Sequence, residues 1–205
     1  MVAGEEAGQV DRREVRQRPV AHAPTLPEPQ RRERRVAGGR RRAYHRAMYF
    51  DALSFLEDER EAWRPYEALA ELSPGQLEVP VAGLDQWSGR DLVAHLTFWL
   101  EHVLDVAREL ALGETSPAHQ RMEAEWAARG DALNAEIIAS WRALPLADVL
   151  ERFRRVPGEL RGYLTVVPEA RWLKNAAFQR LFTSETIDHY AEHEADLRAI
   201  LDAVT

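Results

Sequence analysis

The 205-residue sequence predicts an all-α domain, a four-helix bundle with an extra interrupted helix between its second and third members. Two observations carry this reading. From position 48 onward apolar residues recur at three-to-four spacing with few strand signals, and proline or glycine mostly falls between the periodic stretches rather than inside them. Phe50, Leu53, Leu56, Trp63, Tyr66, Leu69 and Leu72 mark a first helix, with the charged run Glu57 to Glu61 as its solvated face. Ser73-Pro-Gly75 stops it, and a connection with Pro80 and Gly83 comes next. Ser88 stands three before Asp91, the spacing of a capping box, and opens a second helix that runs to about Leu112 and stops at Gly113. Leu92, Leu96, Trp99, Val103, Val106 and Leu110 form its apolar stripe.

Residues 117–144 carry Met122, Trp126, Leu133, Ile137, Ile138 and Trp141, with Gly130-Asp131 as an interruption. Pro145 restarts a helix bearing Leu146, Val149, Leu150, Phe153, Val156, Leu160, Tyr163 and Leu164, and Pro157-Gly158 inside it predicts a kink rather than an ending. Residues 166–182 read as a connection. The last helix begins near Thr183 or Ser184, either of which can cap it, and extends to about Ala203, with Ile187, Tyr190, Leu197 and Leu201 on its apolar face.

Composition narrows the chemistry. There is no cysteine, so disulfides, thiolate ligands and a protein-borne nucleophilic thiol are excluded, and any thiol must come from outside. No apolar run reaches membrane-spanning length and no secretory h-region is present, which sets the expectation of a cytoplasmic protein without a membrane partner. The net charge of -7 divides unevenly: residues 1–47 carry +6, from 12 arginines against six acids, and the remainder carries -13. With Pro19, Pro27, Pro29 and Gly38-Gly39 and no apolar period, segment 1–47 is expected to be a disordered extension. A start assigned upstream of Met48 gives the same pattern, and so does an arm that contacts nucleic acid. The domain then covers 48–205. Phosphate-loop, dinucleotide-turn and nucleophile-elbow motifs are absent.

The histidines point to a metal. His189 and His193, four apart on the last helix, share a face and can bind one ion while a third imidazole arrives from another helix. His95, about 50° from the centre of the second helix's stripe, is a candidate for that third residue. A buried imidazole bonded to a carbonyl shows the same placement as His95, and salt bridges to Asp188, Glu192 and Glu194 suit the pair equally. His102, two turns beyond His95 and about 10 Å away, is expected at the surface or in a second layer.

The pattern Trp87-Ser88-x-x-Asp91-x-x-x-His95-Leu96 with His189-x-x-x-His193 resembles the DinB-like superfamily of bacterial four-helix bundles, which includes thiol-dependent maleylpyruvate isomerases and S-transferases. The resemblance covers about 48–205. It implies that His95, His189 and His193 bind a divalent ion, zinc or nickel, with a low-molecular-weight thiol as cosubstrate and a small electrophile as substrate. Maleylpyruvate isomerases of that group carry a further C-terminal domain, whereas other thiol-transferase members consist of the bundle alone; with no second folded domain expected here, the isomerase assignment is the weaker of the two. With Trp63 and Tyr66 on the first helix, the resemblance also leads to the expectation of a homodimer. Metal-assisted hydrolysis is the alternative reaction, and a non-catalytic, stress-associated or nucleic-acid-binding helical module is the alternative class.

Overall fold

Asp51 starts the first helix by accepting the Ser54 amide at 2.8 Å, the side-chain cap that leaves one fewer orphan donor. The computed structural model describes residues 48–84 and 86–205. Segment 1–47, and with it the expectation of disorder, lies outside the described residues. Helix α1 covers Ala52–Trp63 and passes into a 3₁₀ segment, Arg64–Glu71. Pro65 explains the change: it has no N–H to return to the preceding turn, so the single long helix expected here tightens instead.

The face of this first element also differs from the expected one. Phe50 and Leu53 are exposed, while Phe55, Glu59, Trp63, Tyr66 and Leu69 are buried. Glu59 thus leaves the solvated run and enters the core, where Arg161 Nη1 donates to Oε2 at 2.8 Å and the Tyr190 hydroxyl donates to Oε1 at 3.0 Å. Trp63 and Tyr66 pack against Tyr190, and the Tyr66 hydroxyl donates to the Tyr190 carbonyl.

Helix α2, Pro74–Leu77, is a single turn with its own capping box at Ser73 and Gln76. Helix α3, Gly89–Leu112, is the centre of the fold. Its Ser88/Asp91 capping box is present, and Arg142 clamps the same aspartate with bonds of 2.7 and 2.9 Å. Gly89 lies at a close approach: a Cβ there would stand 3.0 Å from Leu77 Cδ2 and 3.3 Å from Ile200 Cγ2, so both side chains would have to give way by a few tenths of an ångström. The expected stripe is buried, but so are Val93, Leu100, Leu104 and Ala107 on other faces. α3 is enclosed because helices α4 (Pro117–Arg129), α5 (Asp131–Arg142) and α6 (Leu146–Val166) all pack on it, with α8 (His189–Ala203) as a further neighbour.

Gly130, at φ 49°, divides α4 from α5 where an interruption was expected. Pro157 lies inside an unbroken α6 and is buried there. The expected connection 166–182 is corrected in its second half: α7, Ala176–Thr183, begins at Asn175, whose side chain accepts from the Ala177 and Phe178 amides. Neither Thr183 nor Ser184 caps a new helix. The chain runs from α7 through a π-helical turn, Ser184–Asp188, directly into α8. Thr186 Oγ1 donates to the Phe182 carbonyl at 2.5 Å, supplying that carbonyl with a side-chain partner in the widened turn. Among the described residues there is no strand, and no helix is long and apolar enough to cross a membrane.

Candidate metal centre

Two helices deliver the site. His95 stands in the second turn of α3, past a capped start that sets its register. His189 is the first residue of α8, immediately after the π turn, and His193 lies one turn later. A π turn inserts a residue into the helical ladder and re-aims the side chains of the next turn, a feature that recurs at functional sites. The tie from Tyr190 to Glu59 then holds the start of α8 against α1 and α6.

The structure brings all three predicted histidines together. One ligand nitrogen from each lies within 4.8 Å of the other two. The three ring centroids are 4.9 Å apart in every pair, and His95 Nε2 lies 2.9 Å from His189 Nε2. Nitrogens bound to one ion at about 2.0 to 2.1 Å stand about 3 Å apart, so the donor set fits a divalent cation of the zinc or nickel class. His95 is 5% exposed and its Nδ1 has no hydrogen-bond partner. Its pKa falls well below the usual imidazole value, through burial first and then through His189 and His193. That of His189 falls to about 3, again through burial and the neighbouring His193, with the Glu185 backbone opposing. Both rings are neutral at physiological pH, the form that binds metals.

Two residues around the triad complete it. Asp196 Oδ2 accepts from His193 Nδ1 at 2.7 Å, which places the proton on Nδ1 and leaves Nε2 as the free nitrogen. The acids nearest in sequence do not make this bond: Glu194 pairs with Arg198, and burial raises the Glu192 carboxyl. The i,i+3 spacing of His193 and Asp196 was the available signal. Trp87 covers the other side, stacked on His193 with an interplanar angle of 16° and tilted over His95 at 5.2 Å. Its position is set by a tight turn in which Trp87 N donates to Leu84 O at 2.8 Å and Gln86 adopts a left-handed φ of 65°. Glu185, one turn before His189, has its carboxyl pushed up to about 7 by burial.

His102 does not join the triad, and of the two positions expected for it the surface one is ruled out: it is 8% exposed, held between Trp99 and His119. Asp91, the aspartate of the Trp-Ser motif, acts through the α3 cap and Arg142 rather than at the histidines.

No match was found among curated proteins or among solved structures. The family described as the mycothiol maleylpyruvate isomerase N-terminal domain matches residues 56–198, well over half of the chain, with all three histidines inside the match. The chain belongs to this family, within the DinB-like superfamily.

Proposed function

We propose that this protein is a divalent-metal-dependent thiol transferase or isomerase that presents a low-molecular-weight thiol, of the mycothiol kind named in the family's description, to a small electrophile. The observation that supports it most is the convergence of three imidazoles, two of them buried and neutral, in a chain without cysteine. A zinc or nickel ion, if held there, would lower the pKa of a thiol bound to it and make the anion available near neutral pH. The residues of the chain do the rest. His95, His189 and His193 hold the ion, Asp196 keeps His193 in the tautomer that can ligate, and the Trp87 ring shields one side of the cluster from water. Three protein nitrogens on one ion would leave room for an exogenous ligand such as the thiol. The reading carries with it a four-helix-bundle arrangement of α1, α3, α6 and the α7–α8 pair, and a cytoplasmic homodimer.

The test is metal analysis of the purified chain and then a turnover assay. One equivalent of zinc or nickel is expected, and most of it is lost in His95→Ala, His189→Ala and His193→Ala. Metal-loaded protein should consume mycothiol with maleylpyruvate or a simple alkylating electrophile, and metal-stripped protein should not. Turnover of an ester or amide without thiol identifies a hydrolase instead. Absence of a stoichiometric ion in the parent chain, or retention of it in the three variants, overturns the proposal.

A further inference from the structure

The face of α3 that carries His95 also carries His102, seven residues and about 10 Å further along at about 1.5 Å per residue, too far to share an ion with the triad. His102 is buried, and its Nε2 has no hydrogen-bond partner. Beside it, in the first turn of α4, stands His119, with ring centroids 6.2 Å apart and planes tilted by 37°. Its Nδ1 is likewise buried without a partner. One turn on, Glu123 brings a carboxylate oxygen to 3.5 Å from His119 Nε2, on a side chain 65% exposed and able to rotate.

Buried polar atoms are nearly always satisfied, and leaving one unsatisfied costs about 1 to 3 kcal/mol. Two adjacent imidazoles that both leave a ring nitrogen unpartnered are therefore a poor way to fill apolar space between Trp99 and Phe178, which flank them. They are a reasonable way to keep lone pairs for a cation. Burial and the neighbouring His119 lower the pKa of His102 to about 4, so at neutral pH the ring is in the ligating form. An imidazole centroid stands about 3.2 Å from an ion bound at about 2.1 Å, so two rings at a tetrahedral angle on one ion have centroids about 5.2 Å apart. The observed 6.2 Å leaves about 1 Å to be closed by rotation of the partly exposed His119.

We propose that His102, His119 and Glu123 form a second site for a divalent transition-metal ion of the zinc class, separate from the His95 triad. Its construction repeats that of the first: one imidazole from α3 and an i,i+4 pair from a neighbouring helix. The difference is that only the His95 triad already has three ligand atoms mutually within 4.8 Å, whereas Glu123 must swing in to complete the second. The second site is accordingly the weaker one. Its effect is structural. Helix α4 contributes no fully buried residue and rests on α3 through the partly buried Met122 and Trp126, so an ion shared between His102 and His119 staples a peripheral helix to the central one.

The experiment is a calorimetric titration of the full chain with Zn²⁺, with hydrogen exchange of the 117–129 amides measured at each equivalent. Two equivalents are expected, the second at least about tenfold weaker. The second is lost in His119→Ala and in His102→Phe, which fills the same space, and weakened at least about tenfold in Glu123→Gln, while the first remains in all three. Exchange in α4 should slow only as the second equivalent binds. His95→Ala should lose the first equivalent and keep the second. A single equivalent up to millimolar Zn²⁺, or a second equivalent that survives His119→Ala and leaves exchange in α4 unchanged, overturns the proposal. Should His102→Phe fail to fold, the variants at the partly buried His119 and the exposed Glu123 still decide it.

Discussion

His193 depends on Asp196 in a way that His95 and His189 do not, because only its non-ligating nitrogen has a carboxylate partner, at 2.7 Å. Removing that charge while keeping the shape, in Asp196→Asn, should weaken the first metal equivalent by about 10- to 100-fold in a chelator competition. An unchanged dissociation constant would show that the bond only decorates the helix. The other two histidines set a pH dependence. Both have folded pKa values below the ordinary 6.5, His189 at about 3, so between about 3 and 6.5 the unfolded chain binds more protons than the folded one. Their contribution is present above pH 6.5 and is lost as pH falls through that window. For metal-free protein, the drop in Tm from pH 6.5 to 5, above the ordinary carboxylate range, should shrink in His189→Gln; equal drops in the two proteins would refute the assignment. Acidification over the same range should also release bound metal, because protonation competes with ligation. Much of this site was legible in the residues: histidines four apart on a helix share a face wherever that helix begins. Asp196 and the covering Trp87 ring were not, since which acid bonds and which way a ring turns depend on neighbours brought together only by folding.

Among the elements, legibility tracked the strength of local signals. The Ser88/Asp91 cap, the stop at Gly113 and the break at Gly130 are local chemistry, and each appears where the residues indicate. The start of the last helix does not, because a π turn has no compositional signature and Asn175 lies well upstream of the expected caps. The register of α1 failed for a related reason. Phe55 and Trp63, eight apart, fix the inward face, and Glu59 midway between them must share it, but its place in a five-residue charged run hid that face. Such a carboxylate is tolerated only with its partners, and burial already raises its pKa against the opposing pull of Arg161. Arg161→Met should therefore destabilise the fold. The loss is capped, because the orphaned carboxyl can take up a proton, which from an ordinary pKa of 4.5 costs about 3 kcal/mol at pH 7. A loss of about that size in denaturant unfolding, largely recovered when Glu59→Gln is added, is the expected result. A loss unaffected by the second change would mean that Arg161 acts through packing alone.

For the whole molecule, two expectations turn on what lies outside the core. The dimer cannot use Trp63 and Tyr66, which are 3% and 1% exposed; the apolar residues left uncovered beside α1 are Met48, Phe50 and Leu53. If a dimer forms through them, light scattering should report twice the chain mass, and Phe50→Asp should reduce it to one; a monomer mass for the parent chain at micromolar concentration rejects the dimer. The arginine-rich segment poses the larger question. Among the described residues the buried core begins at Phe55 and ends at Ile200. A chain starting at Met48 should therefore keep the Tm and the metal content of the full chain, while its net charge changes from -7 to -13 as the +6 segment is lost. That charge change separates the readings of the segment. An arm that contacts nucleic acid should give the full chain a salt-dependent affinity for DNA or RNA that the shorter chain lacks, because the acidic body repels phosphate. A passive extension should leave the two chains indistinguishable in that assay, and a large fall in Tm on truncation would refute both by showing that the segment packs on the helical body.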